Sequence, residues 1–211
     1  MRPTINKAVE AQAAQAGRRE QILDAAEACF VRNGFHRTSM QNLAGEAGMS
    51  PSNFYHYFNS KEDIVLALAE RDRGRAAAFL EEIERTGDRR ATFRNILRRV
   101  LSEHKRDVAV LRVEVWAEAK RSPAIAAMIS RSAVDARAWF CQVFATLAPS
   151  PACNPAALFE TVDLLIKGII VNCAVLPGYD PADAVTRLIA IIDAGLDGHL
   201  PHPTHGTEMP S

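Results

Sequence analysis

Apolar residues recur every three or four positions along most of this chain, and proline and glycine mark the breaks. Ile22, Ala25, Ala26, Cys29 and Phe30 form one helical face, closed by Gly34 and Phe35. Met40, Leu43, Ala44 and Ala47 form the next. Thr38 and Gln41 read as a capping box at its start, and Gly48 stands where a left-handed residue ends a helix. Met49 plugs the turn. Ser50 then caps a third helix, with Pro51 at the first position, where its missing N–H costs nothing. Phe54 and Phe58, four apart, point inward. Ser52, Asn53, His56 and Tyr57 are left facing out, with Tyr55 on the flank. Ser60 caps the helix after that, with Lys61 in its first turn.

The Ser–Pro device repeats as Ser122–Pro123, Asn154–Pro155 and Asp180–Pro181. These stops predict helices near 61–85, 89–106, 108–120, 123–147, 155–176 and 181–198. Alternation of β-branched residues is scarce, so the expected class is all-α: an N-terminal three-helix helix-turn-helix head and a six-helix body. The expected organisation is an arm over 1–16, the head over 17–64, the body over 65–200 and a disordered tail over 201–211. The alanine- and glutamine-rich arm is read as disordered; extension of the first helix and contact with a DNA backbone are the alternatives.

Two short helices joined by a glycine turn are common in helical proteins. An outward Asn–Phe–Tyr–His–Tyr–Phe run makes a poor solvated face, however, and Lys61 follows at a position to meet a phosphate. The segment TSMQNLAGEAGMSPSNFYHYFNSKEDIVLAL resembles the DNA-binding signature of the tetracycline-repressor (TetR) family of bacterial transcriptional regulators. The likeness covers roughly Arg18 to Leu68, including RREQILDAAEACFVRNGF. It implies a DNA-reading head, a homodimeric ligand-sensing body and control by a small molecule, in most members as a repressor. Carried over by position, the resemblance places Pro51, Ser52, Asn53 and His56 at base edges, and Thr38, Tyr55, Tyr57 and Lys61 at phosphates. Pro51–Ser52–Asn53 stands where many members have glycine or lysine, so the operator sequence does not transfer.

Formal net charge is zero, from 25 basic and 25 acidic residues. A basic footprint is therefore expected only locally: Arg32, Arg37 and Lys61 face Glu46 alone between Cys29 and Lys61. A length of 211 residues and 48% hydrophobic residues suffice for a head and one sizeable core. Cys29, Cys141, Cys153 and Cys173 lack metal-type spacing and read as buried thiols of a reducing cytoplasm. His199, His202 and His205 lie in a proline-containing terminal segment and read as tail, so no metal or resident cofactor is expected. The most apolar segment, LLIKGIIVNCAVL, is too short and too polar to span a bilayer, and no apolar run opens the chain. A cytoplasmic location follows as the expectation.

In the last helix Val185, Leu188, Ile189, Ile192 and Leu196 make one stripe. The helix before it is apolar around most of its circumference, with Gly168 allowing close approach. With the resemblance, these features imply a four-helix homodimer interface through Leu165, Gly168, Ile169, Val185, Leu188, Ile189 and Ile192. The small-molecule effector is unidentified. Candidates to contact it are His104, Arg112, Trp116, Met128, Trp139, Phe140 and Asn172, with Glu114 as a further polar group; each is equally readable as core or surface. The segment VEVWAEAKRSPAI resembles the sensor domain of choline–betaine-type regulators in the family. The expected partners are double-stranded operator DNA, a second copy of the chain and the effector, with no membrane. Two other classes stay open. An enzyme with an accessory helical head lacks a nucleophile–base or metal motif here. A helical interaction or architectural DNA-binding module would show no ligand response.

Overall fold

The structure is a computed structural model that describes residues 4–102, 106–149 and 151–200, with side chains from residue 15 onward. His104 and the tail over 201–211 lie outside the described residues. Among the described residues there are nine α-helices and no strand. They are α1 (Thr4–Asn33), α2 (Met40–Glu46), α3 (Pro51–Tyr55), α4 (Lys61–Arg85), α5 (Arg89–Ser102), α6 (Arg106–Glu118), α7 (Pro123–Leu147), α8 (Pro155–Val175) and α9 (Ala182–Leu196). The all-α class and the helix starts agree with the capping signals. Three capping side chains accept from the amide three residues on: Ser50 from Asn53, Ser122 from Ile125 and Asn154 from Ala157. The fourth start differs in its cap: α9 begins at Ala182 with Pro181 in the cap position and no side-chain cap, and Asp180 accepts from the Ala182 amide in the turn before it. One element differs: α1 runs back to Thr4, through the stretch read as a disordered arm. Alanine and glutamine are strong helix formers, and the stretch holds no proline after Pro3.

The chain divides into two compact units, and the division falls within α4 and α7. The first unit comprises residues 1–75 and 105–132. Its core is built from Ile22, Leu23, Ala26, Phe30, Phe35, Leu43, Phe54, Phe58 and Ile64, all but sealed from solvent, and Ile125 and Met128 of α7 belong to it. Arg71 of α4 reaches across to Asp24 and Glu27 of α1, pinning the two helices together. The second unit comprises residues 76–104 and 133–211. Here α9 packs on α5 and α8. Arg94 of α5 grips both oxygens of Asp193 on α9, and Arg90 binds Asp197 and the Leu147 carbonyl. Phe93, Trp139, Phe140, Phe144 and Phe159 form a connected aromatic cluster with ring centroids 4.8 to 6.5 Å apart.

This packing corrects the expected interface. Ile169, Val185, Leu188, Ile189 and Ile192 are buried inside the second unit and keep no surface for a partner. The stripe on α9 is consumed by α5 and α8. Because α8 is apolar around most of its circumference, it has a second face to spare. Leu164, Leu165, Val171 and Val175 are exposed on it, 70% in the case of Leu164 and 56% in that of Val175, and Gly168 lies open among them. Of the seven expected interface residues, Leu165 and Gly168 remain outward. The cysteines also divide: Cys29 and Cys173 are buried, whereas Cys141 and Cys153 are half-buried.

Candidate DNA-reading surface

Of the three turns between α1 and α4, the first two depend on a glycine. Gly34 ends α1 at φ +81°, and Gly48 separates α2 from α3 at φ +62°, a region L side chains rarely adopt. The cap of α2 is Ser39, one residue later than expected. Its hydroxyl accepts from the Asn42 amide at 3.1 Å while the Asn42 side chain accepts from the Ser39 amide at 2.9 Å. Thr38 is only 2% exposed, and its hydroxyl donates to the Gly34 carbonyl at 2.7 Å. This corrects the phosphate role expected of Thr38: its one O–H donor is already used, and no surface is left to meet a DNA strand.

Helix α3 is five residues long, and what fixes it is underneath. The rings of Phe54 and Phe58 are buried, 6.3 Å apart, with the Arg19 guanidinium over Phe58. With those two inward, Ser52, Asn53 and His56 are exposed, as the helical spacing requires, and Pro51 is exposed at the helix start. Tyr55 is the outward tyrosine at 48%, whereas Tyr57 is half-buried against the core, the reverse of the expected order. Tyr57 lies past the end of α3, in the turn to α4, and packs against the core there. At the start of α4 the Ser60 hydroxyl accepts from the Asp63 amide, and Asp63 accepts from the Asn59 amide. Lys61 is half-buried: its ammonium donates to the Phe35 carbonyl at 2.8 Å and lies 4.5 Å from the Phe35 ring centroid.

Electrostatically the surface is less basic than its composition suggested. Arg32 pairs with Glu46 at 2.7 Å, and the hydrogen bond from Arg32 holds the Glu46 carboxyl below its usual range. Arg37 is exposed in the turn before α2. The first unit adds a cluster that sequence reading missed. Glu114 of α6 accepts from the Phe35 amide at 2.6 Å, so it is a tie to the turn and not a free polar group for an effector. Glu118 pairs with Arg121 at 2.8 Å and with His36 at 3.4 Å. Nothing local to the sequence pairs residues 79 positions apart.

The effector candidates are scattered between the units. Arg112, Trp116 and Met128 belong to the first and Trp139, Phe140 and Asn172 to the second. Met128 is buried in the first unit's core, a correction to its place among the ligand contacts: helical spacing shows that it is buried but not beside what. Arg112 lies 3.8 Å from Asp72. Trp139, Phe140 and Asn172 are half-buried, and the Trp139 indole donates to the Ala76 carbonyl on α4 at 2.8 Å. A shallow cleft of about 520 Å³ lies elsewhere, between residues 86–90 and Thr146 and Leu147, and none of the candidates lines it.

A short exposed helix, held from below by two phenylalanines and set off by a glycine turn from a capped partner, defines a helix-turn-helix DNA-binding protein. Residues 22–68 match the model of the bacterial regulatory proteins of the tetR family, and residues 89–201 match the C-terminal domain of BetI-type transcriptional repressors. The chain belongs to the TetR family of transcriptional regulators. It is 37% identical to the HTH-type transcriptional regulator UidR of Escherichia coli (strain K12) over 112 residues, 53% of this chain and 56% of that protein. The chain thus spans little more than half the length of the curated relatives of that name. The fold is shared with Salmonella enterica GusR, at 23% identity and a TM-score of 0.66, covering 85% of this chain and 95% of the other. It is also shared with FadR of Bacillus subtilis, solved in complex with stearoyl-CoA, at 17% identity and a TM-score of 0.65, covering 85% and 98%. Among the described residues no helix is long and apolar enough to cross a membrane.

Proposed function

We propose that this protein is a cytoplasmic homodimeric repressor that sits on a palindromic operator and leaves it when a small molecule binds the body. The outward edge of α3 carries the reading: Pro51, Ser52, Asn53 and His56 are exposed while Phe54 and Phe58 lock the helix from behind. Those four face base edges in the major groove. Tyr55, Tyr57 and Lys61 meet phosphates, which set register and not sequence. The exposed face of α8, centred on Leu164, Leu165, Gly168, Val171 and Val175, meets the same face of a second copy. A two-fold dimer then presents two α3 helices to two half-sites. By this reading the head over 17–64 reads DNA, and the body over 65–200 carries the dimer face and the sensor.

For the effector, the aromatic cluster of the second unit supplies apolar walls, and Asn172 a polar group. The fold neighbour from Bacillus subtilis was solved with an acyl-CoA, which supports a body of this kind as a sensor. Trp139 donates to Ala76 within α4, and α4 begins with Lys61, so displacing Trp139 reaches the helix that carries a DNA contact. Effector and operator are coupled by about 1–3 kcal/mol, the same factor acting in both directions. The test is a selection from random duplex DNA. Inverted half-sites about one or more helical turns apart are the expected product. Recovery of DNA with no sequence preference would favour an architectural binder and overturn the repressor reading.

A further inference from the structure

Glu114 lies on α6, outside the segment that reads DNA, yet its carboxylate is built into the turn that ends α1. One oxygen accepts from the Phe35 amide at 2.6 Å. The other stands 3.1 Å from where a Cβ on Gly34 would be, so the close approach also depends on that glycine. The carbonyl of the same Phe35 accepts from the Lys61 ammonium, and the Phe35 ring lies beneath it. A single residue is therefore held by α6 through its N–H and holds the first turn of α4 through its C=O. Four residues along α6, Glu118 pairs with His36 in the same turn. The Glu118 carboxyl is held below its usual range chiefly by its hydrogen bond from Arg121, with weaker contributions from His36 and Lys61.

We infer that Glu114 is a positioning residue for DNA binding: through the Phe35 peptide it sets where the Lys61 ammonium points, so that α6 governs a phosphate contact made by the head. The inference rests on the proposed role of Lys61 at the operator. Lysine has more rotamer freedom to lose than most side chains, and a lysine already anchored on Phe35 loses less of it on binding. Two donors of the ammonium remain for a phosphate. When the turn loosens, Phe35 moves, and the ammonium loses its anchor.

The experiment is a double-mutant cycle on the full chain, using the best duplex from the random-DNA selection as probe. Glu114→Ala is expected to weaken operator binding roughly tenfold, and to flatten the salt dependence by about one counterion per subunit. Glu114→Gln keeps an acceptor for the Phe35 amide and restores binding. In a Lys61→Ala background Glu114→Ala costs nothing further, because its effect passes through Lys61. Hydrogen exchange of the DNA-free protein supplies an independent readout: the Phe35 amide exchanges faster in Glu114→Ala and not in Glu114→Gln. Should the alanine variant not fold, Glu114→Asp, which keeps the charge but shortens the reach, follows the same pattern. Fully multiplicative losses from Glu114→Ala and Lys61→Ala overturn the inference. So does unchanged operator affinity alongside faster Phe35 exchange. A parent protein that selects no DNA sequence overturns the repressor reading first, and this inference with it.

Discussion

Replacing Leu164 by alanine tests which face of α8 meets the second copy. Leu164 is 70% exposed in the single chain. Burying a whole leucine side chain contributes about 1.5–3 kcal/mol, so covering the exposed part contributes about 1–2 kcal/mol. A two-fold interface buries the residue twice, and alanine keeps the Cβ, so the loss is about 2–3 kcal/mol per dimer. That is a rise of roughly 30- to 150-fold in the dimer Kd. Sedimentation equilibrium across a concentration series reads this directly, and operator binding should weaken in parallel because two half-sites need two heads. The fold itself should not suffer, since an exposed leucine contributes little within the chain. Ile189→Ala is the control. That side chain is buried on α9, so truncation costs about 2–5 kcal/mol of folding stability and lowers Tm. If Leu164→Ala dimerised like the parent while Ile189→Ala separated the subunits at unchanged Tm, the assignment of inner and outer faces would be wrong.

Asn53→Ala should cost about 1–3 kcal/mol at the operator and relax preference at one position per half-site; a binding selection with unaltered specificity would remove Asn53 from the base-reading set. Thr38→Val removes the bond to the Gly34 carbonyl and should destabilise the fold by about 1 kcal/mol with no change in salt dependence of DNA binding, whereas a flatter slope would return Thr38 to the phosphate contacts. Burial pushes the Cys153 and Cys173 thiols above their ordinary pKa, so neither should alkylate readily at neutral pH, with the rate climbing only as the solution turns alkaline. Rapid labelling of either at neutral pH would reopen a thiol-sensor role.

Much of this molecule is written within spans of four residues. Ser50–Pro51, Ser122–Pro123 and Asn154–Pro155 place helix starts because a cap bonds an amide three positions on. The outward edge of α3 was legible for the same reason: Phe54 and Phe58 declare the inner side, and Ser52, Asn53 and His56 fall opposite, whereas the place of Pro51 came from the family resemblance alone. Even the error at Ser39 is a slip of one residue in a local motif. Tertiary structure decided everything that depends on what a buried face is buried against. Periodicity marked α8 and α9 as apolar, but only packing showed that Val185, Leu188, Ile189 and Ile192 are consumed within the chain and that Leu164, Val171 and Val175 are left over. Met128 carries the same signal as any sensor-wall methionine and lies in the core of the first unit. The union of Glu114, Phe35 and Lys61 could be read from none of their neighbourhoods, because a hydrogen bond between distant residues leaves no periodic trace in the chain that folds to make it.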